Sequence, residues 1–491
     1  MTEPLQAVPR TLLEAVERAA ALWPDRVAWR FDPGSELTFA EVDRLTARYA
    51  AALHVRGVRP GSRVAVLLRN QVEFPLTWLG LVRLGAAIVP VNARYQATDT
   101  AHVLAVSGAD LVVTSPEFFS LLQTAGASNV VAVSDLSAHD GPAAPAYTPS
   151  ADTTVNIQMT SGTTGRPKGC VLSHTYWMTL GGGMLSEFPH LNRHDVMLTA
   201  QPFSYIDPQW NLVAALLAGA ELVVLDGFHP STFWAKVREH EVTYFYCLAA
   251  MPTLLLRMPM DPADRRHRVR AVQCSAIPVH LHAELENRWG VAWYEAFGMT
   301  ETGADLRVTP SDHDELVGSG SVGAPTSCRE ARIEPDTGEL LLRGTGMMDG
   351  YLDDPAATAA AFEDGWFHTG DLARTDDSGR VYLVGRLKDM IRRSGENIAS
   401  REVEDVLLTH PAVRLAAVVG VPDEVRGEEI KAYVVADCVE GTELAAYCAE
   451  HLAAFKVPRI FSFHQDLPRT PSERVEKAKL AALPGAVEVV V

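Results

Sequence analysis

No run of apolar residues in this chain is long enough to cross a bilayer, for which about 20 are needed. The most apolar stretch, around Leu79, is broken by Arg83. The opening residues, Met1-Thr2-Glu3-Pro4, carry neither the basic nor the apolar segment of a secretory signal. The six cysteines, Cys170, Cys247, Cys274, Cys328, Cys438 and Cys448, stand at no spacing typical of zinc or redox sites. Free, mostly buried thiols in a reducing compartment follow, so the expectation is a cytoplasmic protein with no membrane partner. Positive charge is scarce too. Lys and Arg number 43 against 61 Asp and Glu, a formal net charge of −18. That argues against a nucleic-acid-binding face, which is normally basic, but not against a local cationic cradle. Internal repeats and long low-complexity tracts are also missing. What remains is ordinary for a soluble enzyme of more than one domain: 491 residues, 47% hydrophobic and 21% charged.

One stretch organises the rest. After the apolar run Val155 to Met159, read as a buried strand, comes Thr160-Ser161-Gly162-Thr163-Thr164-Gly165-Arg166-Pro167-Lys168-Gly169. Glycines let backbone N–H groups approach an anion, hydroxyls add donors, and the cations offset phosphate charge. A Walker loop is excluded, because counting from Gly162 puts Pro167 where its second glycine must stand. A plain surface turn is the competing reading; the density of donors favours a phosphate cradle.

Upstream, Leu12 to Leu22 has helical spacing, and Thr38 with Glu41 makes a capping box for a helix running towards Arg56. Val64 to Leu68 is a strand, Val72 to Leu84 a helix, and Ala86 to Val91, Leu111 to Thr114 and Val130 to Val133 are strands. Such alternation predicts parallel sheets covered by helices. Ser137 to Asp152, rich in alanine and proline, reads as a connector. Beyond the cradle, Glu221 to Leu225 and Val242 to Leu248 are strands, and Gly318 to Gly323 opens a strand-rich part containing Arg329 to Ile333 and Glu339 to Arg343. The pattern restarts near Lys388. A helix from Ser400, strands at Val413 to Val421 and Ile430 to Val435 and a helix near Leu444 to Leu452 fit a small α+β domain. The predicted class is α/β: a large N-terminal domain, 1–387, of parallel or mixed sheets with a strand-rich subdomain, then a small mobile C-terminal domain, 388–491.

Four separated stretches then converge: the cradle; Phe297-Gly298-Met299-Thr300-Glu301; Thr369-Gly370-Asp371; and Gly385-Arg386 through Ser394-Gly395-Glu396-Asn397. In this order they resemble the core motifs of the adenylate-forming superfamily, which includes acyl-CoA synthetases. The resemblance covers essentially the whole chain. It implies two half-reactions: a carboxylic acid and ATP give acyl-AMP and pyrophosphate, then coenzyme A displaces AMP. It also implies that the small domain rotates between them. Thr160, Ser161, Gly162, Thr163, Thr164, Gly165 and Lys168 would hold phosphate. Ser275, Ala276, Ile277, Phe297, Gly298, Met299, Asp371, Tyr382 and Arg386 would surround the nucleotide. Within that set Phe297 stacks on adenine, unless it is simply a core aromatic, and Asp371 takes the ribose hydroxyls. Thr300 would donate to the α-phosphate and Glu301 would hold Mg2+. Lys388 takes the hinge position, and Gly395 would line the pantetheine tunnel.

Three departures qualify the resemblance. The segment Gln201 to Gln209 lacks a histidine often found near the carboxylate, and loosely resembles the carnitine-CoA ligase branch. The usual Gly-Gly-Ala strand end reads Ser275-Ala276-Ile277. Most consequential, the C-terminal Gly-Lys whose lysine bridges carboxylate and α-phosphate reads Glu473-Arg474. Arginine is a planar fork where lysine is a point charge, and Glu473 can tie it up, while Lys477 and Lys479 are expected to aim elsewhere. Adenylation is therefore expected to be weak, with acyl-adenylate supplied by a separate adenylating enzyme. Tyr205, Asp207, Trp210, Ser275, Ile277 and Met299 are placed at the acid's pocket, and their mainly aromatic and apolar character favours an apolar acid; core packing is the alternative. Two rival functions are a non-catalytic adenylate sensor, against which the retained Glu301 argues, and a stand-alone adenylation enzyme for a carrier protein, which needs the missing lysine.

Overall fold

The computed structural model describes residues 9–160, 167–248, 250–394, 396–423, 425–469, 475–483 and 487–490. Ser161, Gly162, Thr163, Thr164 and Gly165 of the cradle, and Gly395, Glu473 and Arg474, lie outside the described residues. The local signals act as their chemistry dictates. Helix Leu12–Leu22 starts where the Thr11 side chain accepts the Glu14 N–H, and it buries Leu12, Ala15, Val16 and Ala19 on one face. Thr38 and Glu41 close the expected capping box on helix Phe39–Val55. Helix Glu73–Leu84 stops at Gly85 in the left-handed conformation. Tyr147 of the connector lies over that glycine, where a Cβ would meet its ring at 2.3 Å.

Strands joined by helical crossovers pair in parallel. Arg63–Leu67, Ala87–Pro90, Leu111–Thr114 and Val130–Ala132 do so, and Thr154–Thr160 joins them through Ile88 opposite Asn156. The chain then doubles back. Lys168–Ser173 runs antiparallel to Thr154–Thr160, placing Lys168 opposite Thr160 across the cradle's two ends. Gly350–Tyr351 forms the edge of this seven-stranded sheet.

A second, 14-stranded sheet changes character midway. Val27–Asp32, Glu221–Leu225, Val196–Thr199, Tyr244–Leu248, Ala271–Ser275 and Trp293–Met299 are all parallel neighbours. From Trp293–Met299 onwards the pairing through Gly303–Arg307, Ser321–Pro325, Val381–Arg386, Trp366–Thr375, Glu339–Gly344 and Arg329–Ile333 is antiparallel. The strand-rich part therefore begins at Gly303, ahead of the glycines at 318–323. The motif Phe297 to Glu301 is also where the sheet reverses direction.

The two large sheets share one core in which Trp78 and Trp177 meet edge to face at 5.1 Å. A seam of amides crosses it. Asn156 Nδ2 donates to Gln209 Oε1 at 2.6 Å, and Gln209 Nε2 reaches the carbonyls of Phe203 at 2.8 Å and Tyr205 at 3.0 Å. Gln158 Nε2 donates to the Ser204 carbonyl at 2.8 Å. Beyond Lys388 lies a smaller α+β unit with its own sheet, whose strands include Met390–Arg393, Gly427–Ala436 and Ile460–Phe463. Its separate core contains Ile391, Val403, Leu407, Val418, Ile430 and Phe461. Among the described residues, no helix is long and apolar enough to cross a membrane.

Candidate active site

In parallel sheets the carboxyl ends of the strands open onto a common crevice, where ligands bind. Here those ends carry Ser275, Met299 and the segment after Thr199, and the reversal at Met299 brings the antiparallel strands to the same edge. The reversal needs a glycine. A Cβ on Gly298 would lie 2.1 Å from the Gly303 carbonyl oxygen, so no side chain fits there. Between Met299 and Gly303 the chain turns, presenting Thr300 and Glu301. Beneath the turn, the fully buried Asp305 receives Arg329 Nε at 2.6 Å.

A line of charge crosses this edge. Lys168 Nζ stands 4.8 Å from the centre of the Tyr351 ring, a cation–π contact. The Tyr351 hydroxyl donates to Glu301 Oε1 at 3.2 Å. Burial raises the Glu301 pKa, while Tyr351 and the nearby Arg386 oppose the rise. Arg386 Nε in turn donates to Asp371 Oδ1 at 2.9 Å, the two residues facing each other across paired strands. Asp371 is buried, and its backbone N–H is held by Thr369 Oγ1 at 3.0 Å. Lys168, Glu301, Arg386 and Asp371 are thus brought together, linked by Tyr351, which carries no recognisable sequence signal.

The second wall is aromatic and hydroxylic. Trp210, on helix Ile206–Ala218, packs edge-on to Tyr246 with centroids 5.3 Å apart. The Tyr246 hydroxyl meets Ser275 Oγ, and Ser275 Oγ donates to the Ala296 carbonyl at 2.7 Å. Tyr205 caps the start of the same helix, its hydroxyl accepting from Asn92 Nδ2 at 3.1 Å. Asp207 lies in that helix's first turn. Tyr246 escaped the sequence reading because it sits inside an unbroken apolar strand.

Behind Ser275 lies a carboxylate that the sequence reading also passed over. Glu295 Oε1 accepts the Ala276 N–H at 2.6 Å and Oε2 accepts the Ile277 N–H at 2.8 Å. Burial pushes its pKa up to about 8, against these two bonds and the nearby Arg401. An acid within an otherwise apolar strand, Trp293-Tyr294-Glu295-Ala296-Phe297, was the available signal. Phe297 itself is half-buried against the core of the antiparallel half.

Other predicted positions fall apart from this cluster. Tyr382 sits towards the far end of the strand from Arg386, its hydroxyl donating to Asp376 Oδ2 at 3.1 Å and its ring under Arg374 at 4.1 Å. Lys388 is exposed in the short turn Leu387–Asp389. Lys477 is engaged elsewhere, as expected: Nζ lies 2.7 Å from Glu404 Oε1 and 2.7 Å from Ser400 Oγ. Lys479 pairs with Glu476 at 2.8 Å.

A family model described as AMP-binding enzyme matches residues 16–352, and one described as AMP-binding enzyme C-terminal domain matches residues 402–474. The chain belongs to the AMP-binding enzyme family. By class it is an AMP-forming acid–thiol ligase. A crotonobetaine/carnitine–CoA ligase of Escherichia coli is 33% identical over 485 residues, covering 90% of this chain and 92% of the relative. Among solved structures, o-succinylbenzoate CoA synthetase of Bacillus subtilis, in complex with its acyl-adenylate intermediate, matches with a TM-score of 0.88 at 28% identity. The match covers 97% of this chain and 99% of that one. ATP-bound MatB from Rhodopseudomonas palustris matches with a TM-score of 0.87 at 27% identity over 95% and 98% of the two chains. Within such a family enzyme, Glu301 fits a divalent cation: it is a partly buried carboxylate whose charge burial disfavours and a hard cation would favour.

Proposed function

We propose that this AMP-binding enzyme joins an apolar carboxylic acid to coenzyme A, and that it performs the thioester half of the reaction well and the adenylation half poorly. The observation that carries the nucleotide site is the run of charge at the edge where the large sheet reverses: Glu301 with Arg386 near enough to stabilise its carboxylate, and Arg386 bonded to Asp371. In this reading Asp371 accepts the ribose hydroxyls and Arg386 holds its carboxylate in place while facing the phosphates. Thr300 donates to the α-phosphate and Lys168 contributes positive charge to the cradle. Phe297 covers the adenine and Ser275 to Ile277 flank it. Glu301 is the ligand for Mg2+, which when bound supplies positive charge to the phosphates. The acid lies against Trp210, Tyr205 and Met299, a wall whose aromatic faces suit an apolar chain. Residues from 388 onwards form the moving domain, with Lys388 as hinge and Gly395 on the pantetheine path.

Adenylation needs a cation between two anions, the acid's carboxylate and the α-phosphate. Such electrostatic contacts are typically worth ~3–4 kcal/mol of barrier. At that position the chain has Arg474 beside Glu473. The neighbouring Lys477 is held by Glu404 and Ser400 and offers no substitute. An acyl-adenylate made by another enzyme then becomes the working substrate, and the thiol sulfur of coenzyme A attacks its acyl carbon as AMP leaves.

The test separates the halves. ATP–pyrophosphate exchange across a panel of acids should be slow, while synthetic acyl-adenylate and coenzyme A give thioester efficiently. The pair Glu473→Gly with Arg474→Lys should raise exchange by a factor on the order of 10²–10³. Vigorous exchange by the unmodified chain would sink the divided reaction, and no thioester from any adenylate would sink the ligase reading.

A further inference from the structure

Ala276 has a φ of +68°, in the left-handed region that side chains with a Cβ rarely enter. It directly follows strand Ala271–Ser275, and the resemblance to Gly-Gly-Ala strand ends puts a glycine at this place. Glycine takes such a φ without help; alanine needs a restraint. The restraint is visible. Glu295 stands opposite Cys274 in the parallel register, one residue short of the strand end. From there its two oxygens accept the consecutive N–H groups of Ala276, at 2.6 Å, and Ile277, at 2.8 Å. Consecutive amides turned towards one anion form a nest, the backbone arrangement that binds anionic groups. Here the acceptor is a carboxylate built into the chain, ionised above about pH 8.

The strand that carries the carboxylate is itself held. The Glu295 carbonyl accepts the Val308 N–H at 2.9 Å, and Ser275 Oγ donates to the carbonyl of the next residue, Ala296, at 2.7 Å. Glu295 is buried, with 8% of its surface exposed. Among the described residues, no lysine, arginine or histidine bonds to it directly. The turn Ser275 to Ile277 is thereby tied to the very strand that carries Phe297, two residues on.

We infer that Glu295 is a positioning residue for the nucleotide: it clamps Ala276 in its left-handed conformation and so sets the adenine-flanking turn against Phe297. This rests on the nucleotide site proposed above. Glu295 acts through the turn and touches no reacting atom, so its loss weakens nucleotide binding and leaves the chemistry of the bound complex largely alone.

The test is a double-mutant cycle on AMP affinity with Glu295→Gln and Ala276→Gly, read by calorimetry at about pH 9, where the Glu295 carboxylate is ionised. Glutamine keeps the shape but offers a single acceptor and turns an amide donor towards an N–H. Glu295→Gln should weaken AMP binding about tenfold, the size expected for losing a charge-assisted bond. In thioester formation from acyl-adenylate it should raise KM for the adenylate while kcat and KM for coenzyme A change by less than about threefold. In an Ala276→Gly background, where glycine takes the turn unaided, the same change should cost less than about threefold. If Glu295→Gln does not fold by circular dichroism and gel filtration, Glu295→Asp, which shortens the reach and keeps the charge, is read by the same criteria. Equal losses in both backgrounds, or kcat falling in step with affinity, would overturn the inference. Failure of the unmodified protein to bind AMP would instead overturn the nucleotide site on which it rests.

Discussion

Two glutamates nine residues apart meet opposite fates. Glu286, on helix His282–Trp289, accepts the Trp293 N–H at 2.7 Å and His313 Nε2 at 2.6 Å. Burial disfavours its charge, but the histidines and that N–H outweigh it and hold the pKa at about 2. Glu295, on the strand that begins at Trp293, also accepts backbone N–H groups, yet burial carries it to about 8. Both take amide hydrogens, so hydrogen bonding alone does not separate them. Cationic neighbours and access to water do. The pair also brackets the parallel-paired part of this strand, Trp293 to Glu295: Glu286 bonds the N–H of the first residue and Glu295 is the last. At its amino end charge is matched by charge and serves the fold. At its carboxyl end a carboxyl group whose charge burial disfavours is left against bare backbone, next to the crevice where ligands are expected.

That contrast can be broken. The largest effect should come from Glu286→Ala, which strands His313 and uncaps Trp293. Removing one partner of a buried pair costs about 3 kcal/mol or more of stability, measured by urea unfolding, while AMP affinity of the folded fraction should not change. A loss of nucleotide binding there would erase the division between the two ends. Asp371→Ala should do the reverse. It removes a charged acceptor in the crevice and should weaken AMP binding by about 2 kcal/mol, within the range for hydrogen bonds to charged groups, with a smaller effect on unfolding. Unchanged affinity by calorimetry would take Asp371 out of the site.

The smallest effect sharpens the amino end by pH. Glu286 and Asp314 hold the His313 pKa above its ordinary 6.5. A raised histidine stabilises the fold fully below its unfolded value and loses that contribution as pH rises through the folded one. Glu286, lowered from 4.5 to about 2, contributes above 4.5 and loses its share as pH falls through about 2. The pair is therefore at full strength between 4.5 and 6.5. His313→Gln should cost about 1 kcal/mol at pH 6 and clearly less at pH 9. Equal losses at both values would mean that His313 is not charged in the fold.

The sequence carried much of this, unevenly. Helix Leu12–Leu22 and strands Leu111–Thr114, Glu221–Leu225 and Arg329–Ile333 were legible to the residue, because caps and apolar runs are local. Asp371 and Arg386 could be named from motifs, but only strand register sets them facing each other. The reversal at Met299 was hidden, since pairing direction depends on partners far along the chain. Tyr351, Tyr246 and Glu295 were missed for a related reason: each gains its role from a neighbour distant in sequence. Ser275-Ala276-Ile277 was noted as bulkier than expected, while the positive φ of Ala276 and its restraint became visible only in three dimensions.

The amide seam around Gln209 has a further consequence. Its hydrogen bonds tie strand Thr154–Thr160 of the smaller sheet to the segment and helix lying over the larger one. Buried amides that lose a partner pay the full cost of desolvation, so sliding one sheet past the other is steeply opposed. In the proposed site, the wall against which the acid would lie is stiff before anything arrives. Little ordering would then remain for binding to impose, and a misfitting chain could not be welcomed by letting the sheets yield; discrimination between acids would be a matter of shape, decided at entry.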